Sequence, residues 1–449
     1  MLKKLIKTVR SLGTRRRAGP TVIEVSEHGM KRAAISSAAQ KVTHGLQERG
    51  YKAYVVGGAV RDSLAGLRPK DFDIATDATP EQVKAVFRRA RIIGRRFRLM
   101  HVPFGEEVVE VSTFRGSGGE GGDARQIHDE HGRIVRDNVF GSQEEDALRR
   151  DFTVNALFYD PSTEQIIDYC KGYADVRARR IRIIGDPEVR FREDPVRMLR
   201  AVRMAAKLDG KIDPATKAPI SQLAELMANV PPARLFEEML KLLLSGHGQS
   251  AIAGLRAEGL HHGLLPMLDM ILEQPLGERF VNLVLARTDD RVQAGKSVSP
   301  GFLFAALLWH EVLSGWRRQR ERGMPEIPAL NGAMDDVIDA QVERLAIPRR
   351  FTSDMKELWS LQARFESRSG QRPYRLLEHA RYRAAYDFLL LRAEAGEVEQ
   401  SLADWWTRFQ DASSADREGM LQTDTGPRKR RRRRHSGERV DTADQPSTT

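Results

Sequence analysis

One cysteine, Cys170, stands in a chain of 449 residues, so no disulfide can form within it. That suits a reducing compartment better than a secreted, disulfide-stapled framework. Long apolar runs are missing too. Nothing approaches the roughly 18 to 20 consecutive apolar residues that a membrane span needs, and the N-terminal MLKKLIKTVRSLGTRRRA has no secretory apolar segment. A cytoplasmic location is the expectation. No internal repeat is visible. The glycine-rich GSGGEGGDAR at 116–125 lacks the Gly-Lys-Ser/Thr ending of a P-loop, and in WHEVL the pair His310-Glu311 has no histidine four residues after the first, so the spacing of a zinc site is absent.

What is present is a globular chain with basic ends. At 41% hydrophobic composition it can bury more than one core, and its length suggests about two to four domains. The net charge of +11 is unevenly spread: residues 1–17 hold seven Lys or Arg and no acid, and the run at 428–434 holds seven more. The remainder is therefore slightly acidic. Arg428, Lys429, Arg430, Arg431, Arg432, Arg433 and Arg434 suit a loose, sequence-independent hold on a polyanion such as RNA. The N-terminal LKKLIKTVRSL suits the same task less well, and peripheral membrane contact through a short amphipathic helix is an alternative use of it.

Patterning divides the chain. Residues 36–49 read as a helix, and YKAYVVGGAVRDSL reads as a strand, a double-glycine turn and the start of a helix. DFDIAT at 71–76 reads as a second strand. TPEQVKAVFRRA has Thr79 as N-cap and Pro80 at the first helical position. EEVVEVSTFR alternates as a third strand, with Val109 and Val111 on one face and Val108, Glu110 and Ser112 on the other. After Asp175 the apolar spacing turns helical; in PPARLFEEMLKLLLSG, for example, Leu235, Phe236, Met239, Leu240 and Leu243 share a face. From about Ser413 the composition cannot support a core.

Asp71 and Asp73 would share a strand face, and two adjacent anions repel unless a cation lies between them. Gly57 and Gly58 let a backbone approach a phosphate closely and offer free N–H groups to it. An Asp-x-Asp strand beside such a turn is what two-metal phosphoryl or nucleotidyl transfer requires, with Mg2+ held by carboxylates and by the substrate's phosphates. Glu110 is the natural third carboxylate. In EEDALRRDFTVNALFYD, Arg149 and Arg150 can neutralise a triphosphate, and Asp151 can accept from a ribose hydroxyl or assist the metal. In FREDPVRMLRAVR, three-residue spacing puts Asp194, Arg197 and Arg200 on one helical face. An Asp accepting from an exocyclic amine and an Arg donating to the adjacent ring nitrogen suit adenine, and equally cytosine. Taken singly, each of these features also fits a bland role: an ordinary turn, an exposed strand residue, a charged helix, an i,i+3 salt bridge.

Four stretches, VVGGAVRDSLAGLRPKDFDIAT, VEVSTFRG, EEDALRRDFTVNALFYD and EDPVRMLRAVRMA, resemble in this order the head and neck motifs of the class II nucleotidyltransferases, the family of bacterial poly(A) polymerases and CCA-adding tRNA nucleotidyltransferases. The match spans residues 54–208. It implies an α+β nucleotidyltransferase-fold head, a mixed sheet with helices, followed by all-helical neck, body and leg domains and a disordered basic tail. The expected divisions are a basic extension at 1–35, the catalytic head at 36–175, a neck binding RNA and nucleotide at 176–270, a body at 271–412 and an arginine-rich tail at 413–449. The resemblance assigns Asp71 and Asp73 to metal binding and Asp151 to the catalytic set, with Asp194 and Arg197 reading the base. Gly57, Gly58, Arg61, Arg149, Arg150 and Arg200 join them around ATP. Residues 231–268 are similar to the poly(A) polymerase branch, where CCA-adding relatives carry a different helix. His128-Asp129, beside the glycine-rich loop, does not indicate the phosphohydrolase module of some CCA-adding relatives. The implied activity is template-independent addition of AMP from ATP to RNA 3′ ends, with two Mg2+ ions as cofactors and pyrophosphate released, promoting RNA turnover. Implied partners are RNA 3′ ends and RNA-decay proteins. CCA addition and a non-catalytic RNA-binding role are the alternatives.

Overall fold

The computed structural model describes residues 19–94, 98–116, 127–128, 134–136, 140–261 and 275–422. The basic run at 428–434, the first 18 residues, most of the glycine-rich loop, Asp129 and His262 lie outside the described residues.

An eight-stranded mixed sheet organises the first part of the chain. Its strands are β1 (Thr21–Ile23), β2 (Ala53–Val56), β3 (Asp73–Thr76), β4 (Arg91–Ile93), β5 (Leu99–Phe104), β6 (Glu107–Thr113), β7 (Leu157–Asp160) and β8 (Gln165–Asp168). Across the sheet they run β1, β8, β7, β2, β3, β6, β5, β4. Within this sheet β3 and β6 pair in parallel, and the other described pairs are antiparallel. The central strands are the apolar ones, as burial on both faces demands: Val55, Val56, Ile74, Ala75, Leu157 and Phe158 are buried. In β6 the expected alternation holds, with Val109 and Val111 buried and Val108 and Glu110 exposed.

Helices pack on both faces, the helix Ser37–Gln47 on that of Val55 and Ile74 and the helix Gln143–Arg149 on that of Val56 and Ala75. α1 (Ser37–Gln47) starts where Ser36 accepts from the Ala39 amide at 3.1 Å and turns Ala39, Val42 and Leu46 onto β2 and β6. α2 (Gly58–Leu64) leaves the double-glycine turn, where Gly57 has φ 71°, a conformation other residues adopt only with strain. α3 (Pro80–Val86) has the expected Thr79 cap, completed as a capping box by Gln82. α4 (Gln143–Arg149) carries another box between Ser142 and Glu145.

The rest is mostly helical: α5 (Pro187–Glu193), α6 (Val196–Lys207), α7 (Pro232–Leu243), α8 (Gly248–Ala257), α9 (Pro275–Gln293), α10 (Pro300–Glu321), α11 (Glu326–Leu345), α12 (Arg349–Gln362), α13 (Tyr382–Glu394) and α14 (Gln400–Asp411). On α7, Leu235, Phe236, Met239, Leu242 and Leu243 are buried, each contributing roughly 1.5–3 kcal/mol. Trp309, Trp359 and Trp406 are fully buried in the helical part. Each indole N–H is satisfied, by Glu397, the Ala305 carbonyl and the Phe365 carbonyl at 2.9, 2.8 and 2.9 Å, as burial of a polar ring tip requires.

Four expectations change. The boundary at 35/36 cuts through the sheet, because β1, from the stretch assigned to a basic extension, pairs with β8 along Thr21, Val22 and Ile23. The tail does not begin at 413, since Ser414–Met420 is helical, Trp405 donates to the Met420 carbonyl at 3.1 Å, and the Gln422 amide donates to Arg368. The region after 176 is not wholly helical, because Arg180–Ile181 pairs in parallel with Lys211–Ile212. Asp194 is not on the helix of Arg197 and Arg200. It ends α5 with ψ 93°, and α6 begins only after Pro195, since a residue before proline is pushed out of helical geometry.

One contact ties sheet and helices at a single backbone point. A Cβ on Gly172 would sit 2.1 Å from the Thr153 carbonyl oxygen, where the helix Gly172–Arg177 meets the 3-10 turn Thr153–Asn155. Gly172→Ala is expected to cost about 1–3 kcal/mol and several degrees of thermal midpoint, read by thermal unfolding; an unchanged midpoint would show that the turn yields freely.

Candidate active site

A cleft of about 510 Å³ opens between the sheet and the helices behind it, lined by residues from β2, α2, β3, β6, α4, the turn after α4 and α6. It gathers most of the side chains expected from sequence: Gly57, Gly58, Arg61, Asp73, Glu110, Arg149, Arg150, Asp151, Asp194, Arg197 and Arg200. Asp71 stands just before β3 rather than in it, exposed, outside the cleft lining but near enough to Asp73 to act on its charge.

The carboxylate side follows from strand register. Asp73 and Glu110 occupy paired positions of parallel strands, so their side chains leave the same face about 4.8 Å apart. Asp73 keeps surface open to the cleft, yet the packing around it removes enough water to raise its carboxyl, and Glu110 and then Asp71 raise it further against the opposing Arg150; it is pushed up to about 6. Beyond Glu110, His101 on β5 places Nε2 at 3.3 Å from Glu110 Oε1.

The opposite side is cationic. Arg149 donates from Nη1 to the Gly116 carbonyl at 2.5 Å, and burial, then Arg115 and Arg190, pushes its guanidinium down to about 10. Arg115 is lowered chiefly by burial, with Arg150 adding to the effect against Asp146. Arg150 is held by Asp146 Oδ2 through Nη2 at 2.9 Å, and a Cβ on Gly57 would lie 3.5 Å from its Nη1 and 4.0 Å from Asp73 Oδ2. The glycine turn thus sits between the leading arginine and the leading carboxylate, and a side chain there would fill the space. Each half of the cleft repels itself, one short of cations and the other of anions, which suits an anion carrying its own cation.

Asp151 is almost fully buried. Burial alone would raise its carboxyl, but Arg200 at 2.7 Å, the Asn155 amide at 3.0 Å and the Phe152 N–H at 2.8 Å together hold it below the ordinary value. It therefore anchors Arg200, whose own guanidinium is raised by it. Arg61, expected on the triphosphate, is 8% exposed, with its donors committed to Asp62 at 2.7 Å and to Asn155 Oδ1 at 2.6 Å. It lines the cleft and braces the turn from beneath. Asp194 Oδ2 accepts from Arg234 of α7 at 2.6 Å while its buried Oδ1 has no hydrogen-bond partner. Arg197 donates to Glu193 Oε2 at 2.9 Å and to the Arg190 carbonyl at 2.7 Å.

Sequence reading missed Arg115, Asp146, Asn155 and Arg203. Arg203 continues the three-residue series through Arg197 and Arg200, and Asp146 lies an i,i+4 step before Arg150, so both were within reach of spacing. Asn155 was not. Arg203 is lowered by burial and faces Glu238 of α7 at 3.7 Å.

Among the described residues, no group of three or more His, Cys, Asp or Glu side chains forms a ready-made metal site. The donor set still fits a hard divalent ion that keeps waters and takes substrate phosphates as ligands, because the carboxylates around Asp73 are mutually repulsive and accessible.

Paired strand carboxylates facing an arginine cluster across one cleft, with an Asp and an Arg presented from the helices behind it, are the arrangement of a nucleotidyltransferase. The structure aligns with the Bacillus stearothermophilus CCA-adding enzyme in complex with CTP at TM-score 0.59 and 27% identity, covering 83% of this chain and 82% of that one. Residues 53–182 match the poly A polymerase head domain, 211–272 the probable RNA and SrmB-binding site of polymerase A, and 322–439 the polymerase A arginine-rich C-terminus. Poly(A) polymerase I of Salmonella typhi is 46% identical over 422 residues, 92% of this chain and 91% of its own. A CCA-adding enzyme of Bacillus licheniformis is 37% identical over only 52% of this chain. The chain belongs to the poly(A) polymerase family, and it is a polynucleotide adenylyltransferase.

The raised Asp73 carboxyl has a measurable consequence. In the metal-free protein its ionised form is a penalty, complete above about pH 6 and relieved as pH falls toward the unfolded value near 3.8. Asp73→Asn is therefore expected to raise the thermal midpoint of the metal-free protein at pH 8, and the gain should shrink as pH falls below 6; equal midpoints at pH 8 would contradict the repulsion.

Proposed function

We propose that the protein extends RNA 3′ ends with AMP from ATP, without a template and with release of pyrophosphate, at this cleft. The observation that carries the reading is the pairing of Asp73 with Glu110 opposite Arg149 and Arg150 across the glycine turn. Asp71 and Asp73 would hold magnesium, two ions in all with the triphosphate. When bound, it stabilises charge on the attacking and leaving oxygens. The protein's own groups do the positioning. Gly57 and Gly58 let the phosphates approach the backbone, and Arg149 and Arg150 hold the β- and γ-phosphates with forked donors that water cannot replace at equal cost. Arg61 supports them from beneath through Asn155.

Base reading falls to the helices. The unpartnered Oδ1 of Asp194 can accept from the adenine amine while Arg197 donates to the neighbouring ring nitrogen. Arg234 fixes the other oxygen of Asp194, so the acceptor faces one way. Asp151 holds Arg200 at the ribose side of the cleft. No covalent enzyme intermediate is needed. We read residues 21–175 as the head, the helices from α5 to about 270 as the neck and those beyond as the body. The basic run at 428–434 supplies sequence-independent hold on RNA. A cytoplasmic setting and contact with RNA-decay proteins follow from this role in RNA turnover. Among the described residues no helix is long and apolar enough to cross a membrane.

Incubating the full chain with a generic RNA, magnesium and either ATP or CTP tests the reading. A long ladder with ATP supports it; growth that needs CTP and a truncated tRNA means CCA addition, and no growth means a binder. Asp71→Ala and Asp73→Ala should each remove AMP addition while leaving RNA binding close to normal, measured by filter binding beside the extension assay. Near-normal rates in either variant would refute the metal assignment.

A further inference from the structure

The groups given to the base and those given to the triphosphate stand on different elements, Asp194 and Arg197 at the junction of α5 and α6, Arg149 and Arg150 at the end of α4. One nucleotide has to meet both at once, so the distance between them matters to the rate. Arg190 of α5 stands between the two. Its Nη2 donates to the Arg149 carbonyl and to the Arg150 carbonyl, each at 2.8 Å. These carbonyls are orphaned where α4 ends, with Arg150 at ψ 165°. The next carbonyl, of Asp151, accepts from the Ile184 amide at 2.9 Å. The turn that carries the phosphate arginines is thus held along its backbone from residues 184 and 190.

The same guanidinium reaches the other way. Arg190 Nη1 donates to Glu193 Oε2 at 2.8 Å, and that oxygen also accepts from Arg197 Nη1 at 2.9 Å. Arg197 Nη1 donates in addition to the Arg190 carbonyl at 2.7 Å. Arg190 and Arg197 are like charges, and Glu193 between them offsets their repulsion. Neither Arg190 nor Glu193 lines the cleft, so each acts on a nucleotide only through its neighbours. Capping α4 needs the two bonds to carbonyls; the shared Glu193 oxygen adds a path from that cap to Arg197.

We propose that Arg190 is a positioning residue that fixes the spacing between Asp194 and Arg197 on one side and Arg149 and Arg150 on the other, and so contributes to the choice of adenine without touching the base. The proposal rests on the roles given to those four residues above. Uracil presents a carbonyl and an N–H where adenine presents an amine and a ring nitrogen, so UTP is held by its phosphates and gains nothing from the link. Loss of Arg190 leaves the phosphate grip in place, because Arg149 keeps the Gly116 carbonyl and Arg150 keeps Asp146. What goes is the alignment of base with phosphates.

Addition of one nucleotide to a short oligoadenylate by the full chain, with ATP and separately with UTP, tests it. In Arg190→Gln, kcat/KM for ATP should fall about tenfold while that for UTP stays within about threefold of the parent, so that the ATP:UTP ratio drops. Arg197→Ala should lower the same ratio, and Arg190→Gln added to it should lower the ratio little further, because the two residues act through one contact. A residue that served only the fold would instead depress both nucleotides alike and add to Arg197→Ala. Glu193→Gln keeps the carbonyl cap and weakens only the link, so it should lower the ratio in the same direction even where Arg190→Gln fails to fold. An unchanged ratio in Glu193→Gln, equal losses with both nucleotides in Arg190→Gln, or additive losses in the double variant overturns the proposal. A ratio that falls in Arg197→Ala but in neither of the other two removes the link alone; a ratio unmoved by Arg197→Ala removes the base reading beneath it.

Discussion

Like charges held together where nothing in the chain neutralises them are the constraint on which this structure turns. Strand register forces Asp73 beside Glu110, the chain entering β3 brings Asp71 close, and packing prevents water from absorbing the whole cost. Arg150 offsets part of it and is itself occupied by Asp146. A few ångströms away arginines crowd one another, and Arg149 loses basicity to burial and to Arg115 and Arg190. The protein maintains both halves at a cost in stability that a metal-bound triphosphate would relieve. That separation of charge, more than any single side chain, is what carries the proposal of nucleotidyl transfer at the cleft.

The helical part is not an appendage to this arrangement. α7 reaches back to the cleft twice, through Arg234 to Asp194 and through Glu238 toward Arg203, and its apolar face packs against α6 and α11. Asp194, to which base reading is proposed, is thereby oriented by a residue 40 positions away in sequence. α6 in turn presents Arg200 to Asp151, which the Thr153–Asn155 turn and the helix after Gly172 hold in place. Head and helices form one chain of contacts through the cleft, so a change in the neck would be felt as a change in the orientation of Asp194.

Much of this was legible in the residues. The apolar run before Gly57, the alternation through Glu110 and the Thr79 cap are local signals, and each specifies its element without help from the rest of the chain. The misplacements have local or long-range causes. Pro195 breaks the three-residue series that seemed to put Asp194 on α6, and the restriction on the residue before a proline would have corrected it. β1 is three residues in a basic neighbourhood, too short for periodicity, and only β8, more than 140 positions later, makes it a strand. Arg61 follows the glycines and lines the cleft, but spacing could not show its hydrogen bonds to Asp62 and Asn155, which depend on the fold bringing Asn155 beneath α2. Spacing could name the charged residues of the cleft, but not which of them were already spent on one another.

The most direct measurement is a crystal structure with a non-hydrolysable ATP analogue and Mn2+, located by its anomalous signal. The account predicts metal between the Asp71 and Asp73 oxygens, sharing phosphate oxygens with the analogue, whose outer phosphates rest against the Gly57 turn and Arg150. A triphosphate seated in the cleft with its metal remote from both carboxylates would contradict it.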